Sequence, residues 1–190
     1  MKFRPTLTTA PAGSPVTLDE VKAQAMVDFD DDDDLLTGLM DAAVSYLDGF
    51  RGVLGRAMVT QTWEIKHAGF TRTFRLPVPD VTAVSITYMD ADGAEQSVPA
   101  GQIVVLPVIT GTMVKISDSF MFPALEDDNP APIAVQFTCG FGGAADVPAN
   151  LKLAVKALAA TWYENRAAEP GEALPMGVEI LIAPYRWVTV

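Results

Sequence analysis

The sequence predicts an α+β protein: a four-helix platform with a small antiparallel β-sandwich or barrel inserted between the second and third helices. Three observations carry this. Apolar residues recur at helical spacing between Thr17 and Phe50, and again between Pro148 and Ala183. Between Val59 and Phe137 the period changes to two. Pro77, Pro79, Pro99, Pro107, Pro123, Pro130 and Pro132 cut that middle stretch into short pieces, which suits strands and not helices.

Each element has its own local reason. Residues 1–15 hold Pro5, Pro11, Gly13 and Pro15 and read as an extended arm. Thr17 and Glu20 have capping-box spacing, so a first helix starts there, with Leu18, Val21, Ala25 and Phe29 on one face. Asp30, Asp31, Asp32, Asp33 and Asp34 repel one another and suit a helix start, where free N–H groups and the dipole favour anions. Leu35, Leu36, Leu39, Met40, Ala43, Val44, Leu47 and Phe50 then form one apolar stripe, ended by Gly49, Gly52 and Gly55.

Val59, Gln61, Trp63, Ile65 and His67 share one strand face; Val84, Ile86 and Tyr88 alternate with Ser85 and Thr87. Asp92-Gly93 is a hairpin turn, with Glu95–Val98 returning. Ile103–Leu106, Met113–Ile116 and Ile133–Phe137 are further strands. Pro148 opens a third helix with Leu151, Ala154, Val155, Leu158 and Trp162 inward and Lys152 and Lys156 on the other side. Gly177–Ala183 forms the last helix, broken at Pro184. The expected division is an arm at 1–15, a platform from 16–56 and 147–184, an insert at 57–146 and a tail at 185–190.

Composition narrows the function. The chain has 190 residues, 49% hydrophobic and 19% charged, so it can bury a core without disulfides. Asp and Glu number 24 against 13 Lys and Arg, a net charge of −11. That opposes tight binding to nucleic-acid phosphates or an anionic membrane. The net charge is −6 over residues 1–52, −5 over 53–147 and zero over 148–190. No apolar run reaches transmembrane length and the N-terminus lacks a signal-peptide core, so a soluble protein of a reducing cytoplasm is expected.

Candidate chemistry is sparse. Asp28, Asp30 and Asp32 have the spacing of a calcium loop, but Asp33 stands where a glycine is needed and Leu39 where a bidentate Glu is needed. A solvated helix cap or acidic surface is the better reading. His67 is the single histidine and Cys139 the single cysteine. Cys139 is in phase with Ile133, Val135 and Phe137, which makes it a core thiol. A Cys139–His67 nucleophilic pair would need the fold to join them. Gly140–Gly143 lacks the Lys-Ser/Thr of a phosphate loop. No cofactor and no metal is expected.

What remains is surface. Ile180, Leu181, Ile182, Tyr185, Trp187 and Val188, with Arg186 among them, concentrate large apolar groups near the end of the chain. They either pack on the chain's own helices or dock into another protein.

Several stretches resemble phage head–tail connector proteins, also called adaptors. Pro15-Val16-Thr17-Leu18-Asp19-Glu20-Val21-Lys22 is similar to the start of that family. Thr60-Gln61-Thr62-Trp63, and Ser85-Ile86-Thr87-Tyr88 followed by Asp90–Gln96, are similar to its β-containing branch. Asp146-Val147-Pro148 leading to Trp162–Arg166 resembles its third helix, and Leu174–Arg186 its last. The matches run in order from about residue 15 to 186.

The resemblance implies a structural protein without catalysis, in the neck of a tailed phage, prophage particle or gene transfer agent. It implies a ring of copies, usually twelve-fold, beneath the portal protein. The ring extends the DNA channel, lets DNA pass without tight binding, and receives a downstream neck, stopper or tail-terminator protein. On this reading Ile180, Leu181, Ile182, Tyr185, Arg186, Trp187 and Val188 engage the portal. Asp30–Asp34 form an acidic channel or surface patch, and Lys152, Lys156 and Arg166 lie between subunits. The other readings are a non-viral cytoplasmic binding module with a β-sandwich and, more remotely, a hydrolase using Cys139 and His67.

Overall fold

The computed structural model describes residues 3–109, 111–165 and 174–187. They form four α-helices and eight strands, divided between a helical unit (Ala12–Val59 with Phe141–Val188) and a β unit (Met1–Pro11 with Thr60–Gly140). The α+β class and the placing of seven of the eight strands between the second and third helices agree with the sequence pattern.

In the helical unit, α1 spans Leu18–Ala25 and α2 spans Asp33–Leu47. The predicted capping box at α1 is formed. Thr17 Oγ1 accepts from Glu20 N, and Glu20 Oε2 accepts from Thr17 N. The helix stops at Met26, which adopts left-handed backbone (φ 54°). Phe29 therefore lies beyond α1 and stays largely exposed, contrary to its predicted place on the apolar face. In α2 the stripe holds for Leu36, Met40, Ala43 and Leu47, while Leu35 remains exposed.

Pro148 caps α3 (Ala149–Glu164), and α4 spans Met176–Ile182 before a 3₁₀ turn at Ala183–Tyr185. The core joins Val21, Leu36, Leu47, Leu151, Val155, Leu158 and Ile182. Met58 and Val59, assigned to the insert by pattern, pack in this core instead. The connection between α2 and the first core strand is long enough to fold back, and Asp48 Oδ1 holds it by accepting from Met58 N at 2.6 Å.

The β unit contains two antiparallel sheets. In chain order the strands are β1 (Thr6–Thr9), β2 (Gln61–His67), β3 (Thr73–Leu76), β4 (Val81–Met89), β5 (Glu95–Ser97), β6 (Ile103–Val108), β7 (Gly111–Ile116) and β8 (Ile133–Cys139). One sheet has the order β1-β2-β8-β4-β5 and the other β3-β7-β6. β8 is central and buries Ile133, Val135, Phe137 and Cys139 in alternation. The second sheet lies against the first: the rings of His67 on β2 and Phe74 on β3 meet at 4.6 Å, and β6 packs against β4. This resolves the sandwich-or-barrel alternative as a sandwich.

Two strands were not expected. β1 lies in the stretch read as an extended arm, and pairs with β2 from Thr6↔Glu64 onward. β3 is too short for an alternation of its own and is fixed by its ladder to β7. The predicted turn at Asp92-Gly93 is present, with Gly93 at φ 76°. Asp90 organises it by accepting from Asp92 N, Ala94 N and Gln96 Nε2. The Ala94 backbone bond and then the Gln96 amide hold its carboxyl below the ordinary carboxylate range.

Candidate functional site

The acidic run is an organised helix start. Lys22 Nζ reaches both Asp30 Oδ1 (2.6 Å) and Asp33 Oδ1 (2.7 Å). Tyr163 on α3 donates its hydroxyl to Asp32 at 2.5 Å. Asp33 and Asp34 occupy the first turn of α2, where the dipole favours them. The hydrogen bond from Lys22 lowers the Asp30 pKa, and the bonds to Asp30 and Asp33 raise that of Lys22. A calcium loop cannot form here, because α2 begins at Asp33 and an ammonium group already sits between two of the carboxylates. Asp30, Asp31 and Asp34 keep exposed faces. Among the described residues no group of three His, Cys, Asp or Glu side chains is arranged to hold a metal.

The C-terminal segment divides in two. Ile182 is 1% exposed and belongs to the helical core, and Leu181 packs against it. The Tyr185 ring meets Phe141 edge-on at 6.2 Å, and Arg56 lies over the other ring of that pair, 4.9 Å from the Phe141 centroid. Arg56 Nη1 donates to the Tyr185 carbonyl at 3.2 Å, and Trp187 N donates to the Leu54 carbonyl at 2.6 Å. Gly55, at φ 63°, is needed for this approach, since a Cβ there would collide with the Trp187 carbonyl. The Trp187 indole nitrogen is buried without a hydrogen-bond partner. Ile180, at 67% exposure, Met176, one turn before it, and Arg186 face solvent. Val188 lies outside the described residues.

Two of the three basic candidates are less free than their sequence positions suggested. Lys152 Nζ donates to the Ala145 carbonyl, and Lys156 Nζ lies 3.8 Å from Glu20 on α1. Arg166 lies outside the described residues.

The β2–β8 ladder pairs Gln61 with Cys139 and Ile133 with His67, so Cys139 and His67 stand at opposite ends of it. Six strand positions separate them by about 20 Å. The nucleophilic pair is not formed. Cys139 is buried, and burial lowers the His67 pKa because its charged form would lose water.

Two surface features escaped the sequence reading. One is an aromatic cluster in the β unit, where Phe70 stacks on Phe122 at 4.7 Å and meets Tyr88 and Phe120 edge-on. Arg72 covers Phe122 and donates to the carbonyls of Ser117 and Phe120. Loop residues carry most of it, so no periodicity announces it. The other is the exposed apolar strand β6, legible as a strand but not as a surface.

Comparison with known proteins agrees with the resemblance read from the sequence. Residues 15–80 match the family model of phage gp6-like head-tail connector proteins. No curated protein matches the chain. Among solved structures, a chain in the neck of an empty GTA particle, computed with C6 symmetry, aligns with TM-score 0.76 and 24% identity over 98% of this chain and 97% of that one. A chain in the virion of a native gene transfer agent particle aligns with TM-score 0.76 and 25% identity over 98% and 96%. A chain in the neck of a native GTA particle, computed with C12 symmetry, aligns with TM-score 0.74 and 24% identity over 98% and 97%. The fold is thus shared with these chains of particle necks and virion, and the family match covers residues 15–80, about a third of the chain.

Proposed function

We propose that this chain is a structural head–tail connector that works as a ring of copies in the neck of a phage-like or gene-transfer-agent particle. One observation carries the reading: the alignment to neck chains spans nearly the whole of both partners, with a TM-score of 0.76. The independent family match over residues 15–80 supports it. The C6 and C12 symmetries of the related necks support a cyclic assembly.

The physics is consistent with a conduit. A net charge of −11 repels phosphate, so a duplex passing such a ring slides and is not gripped. The exposed carboxylates of Asp30, Asp31 and Asp34 suit a channel or rim surface. The upstream partner would be a portal protein and the downstream partner a stopper or tail-terminator component. For the portal contact, the exposed groups Ile180 and Arg186 are the better candidates. Ile182, Tyr185 and Trp187 hold the segment to its own unit, and so position those two. Lys152 and Lys156 could serve a neighbouring subunit only by leaving Ala145 and Glu20.

The test is to delete the gene in a particle-producing cell and complement it with a tagged copy. DNA-filled heads without tails should accumulate on deletion, and the tag should locate to the neck in purified particles. Complete particles without the protein would overturn the reading. In a gel shift at 150 mM salt, the purified chain should leave duplex DNA unshifted.

A further inference from the structure

The distribution of charge along the chain marks two surfaces that fit each other. Three stretches carry no Asp, Glu, Lys or Arg over more than a dozen residues: 5–18, 96–114 and 129–145. The third contains β8, and its neutrality follows from burial at the centre of a sheet. Burial explains the other two only in part, at Val98 and at Gly111–Val114 of the central strand β7. These two stretches contain β1 and β6, and both are edge strands.

Among the described residues both edges are also open. All four residues of β1 are exposed, with Leu7 among them. On β6, Val104 is 46% exposed and its neighbour Val105 36%, although neighbours in a strand point to opposite faces. Ile109, just past the strand end, is 93% exposed. An edge strand presents unpaired N–H and C=O groups, and soluble proteins ordinarily guard such edges with charge. Here the guard is missing at β1 and β6, in a chain of net charge −11. Pro107 does block part of β6, having no N–H. That leaves Ile103–Leu106 for pairing, four residues against the four of β1.

The two edges lie on opposite sides of the sandwich. β1 borders β2, and β2 is the strand that β3 covers through the His67–Phe74 contact. β6 lies at the other end of the second sheet and packs on β4. A closed ring requires this arrangement: two different patches on one protomer, facing opposite ways, each the partner of the other. Copies of such acidic chains repel, and they can approach most closely where charge is absent.

We propose that the β6 edge of one copy docks on the β1 edge of the next, forming the side-to-side contact of the ring. This rests on the connector reading above and goes beyond it by naming the surface.

The test uses a Thr6→Cys/Val104→Cys double variant and a short bismaleimide cross-linker, applied to the purified chain at high concentration and to particles assembled from it. Cys139 is buried and is left in place. The double variant should give a ladder of covalent multimers, whereas either single variant can give nothing longer than a dimer. A Gln96→Cys/Val104→Cys variant, which moves the first thiol to the β5 edge, should give at least tenfold less ladder. No ladder from particles whose necks contain the protein would overturn the β6–β1 contact and leave the connector standing. An equal ladder from the β5 variant would overturn β1 as the partner. Absence of the protein from necks would overturn both.

Discussion

The helical and β units handle their polar and apolar groups in opposite ways. In the helical unit, many polar and charged groups are paired internally. Lys22 sits between Asp30 and Asp33, Asp32 accepts from Tyr163, Asp48 caps the Met58 N–H, and Trp187 and Tyr185 are tied to Leu54 and Arg56. In the β unit the centre is as well packed, but two of its edge strands, β1 and β6, carry no charge and keep exposed residues. A protein that acted alone would gain nothing from such edges and would risk aggregation. On the proposed β6–β1 contact there is a division of labour: the helical unit is held together by its own ion pairs and caps, and the β unit carries the surface that a neighbour completes.

The comparison breaks most visibly if the helical core proves soft. Leu47 is fully buried in it, between α2 and the residues of α3. Leu47→Ala should cost about 2–5 kcal/mol, through lost burial plus the cavity left behind. Urea denaturation followed by circular dichroism would read this as a lowered midpoint at unchanged slope. A loss under about 1 kcal/mol would mean that the helical unit is loosely packed.

Truncation after Ala183 is next in size. It removes the Tyr185 ring from Phe141, the acceptor of Arg56 and the Trp187–Leu54 bond. Two partly buried aromatic side chains are worth about 2–4 kcal/mol together. A melting curve unchanged by the truncation would show that the segment is free, and would return Tyr185 and Trp187 to the proposed docking residues.

The same contrast explains what the sequence disclosed. The helical elements were legible because each buried stripe is long, as in α2, and because α1 carries its own capping box. The strands β2, β4, β7 and β8 were legible from alternation. β1 was not, because a run of Thr and Leu between prolines has no local pattern that separates a strand from an arm; only pairing with β2 defines it. The end of α1 was misjudged because Phe29 continued the helical spacing past the left-handed turn at Met26. Sequence placed Lys152 and Lys156 correctly on the outer side of α3 but could not show that Ala145 and Glu20 already engage them. It found the apolar C-terminal residues but not which of them turn inward, since Ile180 and Ile182 are chemically alike and differ only in the face of a short helix.

A smaller effect separates the two units by pH. His67 lies at the junction of the two sheets, against Phe74, with its Nε2 buried and without a hydrogen-bond partner. Burial lowers its pKa in the folded state below the usual 6.5. The unfolded chain therefore binds the proton more readily, and stability is lost as pH falls through about 6.5 toward the lowered value; above that it is fully present. Melting at pH 7.5 and 5.5 should show a drop that is reduced in His67→Phe. An equal drop in both proteins would assign the pH dependence to other groups.

The smallest expected effect is the most informative about the edges. If β6 is surface awaiting a neighbour, its exposed side chains contribute little to the stability of the isolated chain. Val104→Lys replaces a half-exposed methyl pair with a stem that can lie along the same strand and a charge that can reach water. Its stability should stay within about ±0.5 kcal/mol of the parent. The same charge placed on the edge should oppose any strand docking there, as edge lysines do elsewhere. The two measurements then separate: melting unchanged, association at high concentration lowered in sedimentation experiments. A lowered melting temperature would show that β6 belongs to the sandwich core after all. The difference between a finished helical unit and an unfinished β unit would then lose its strongest support.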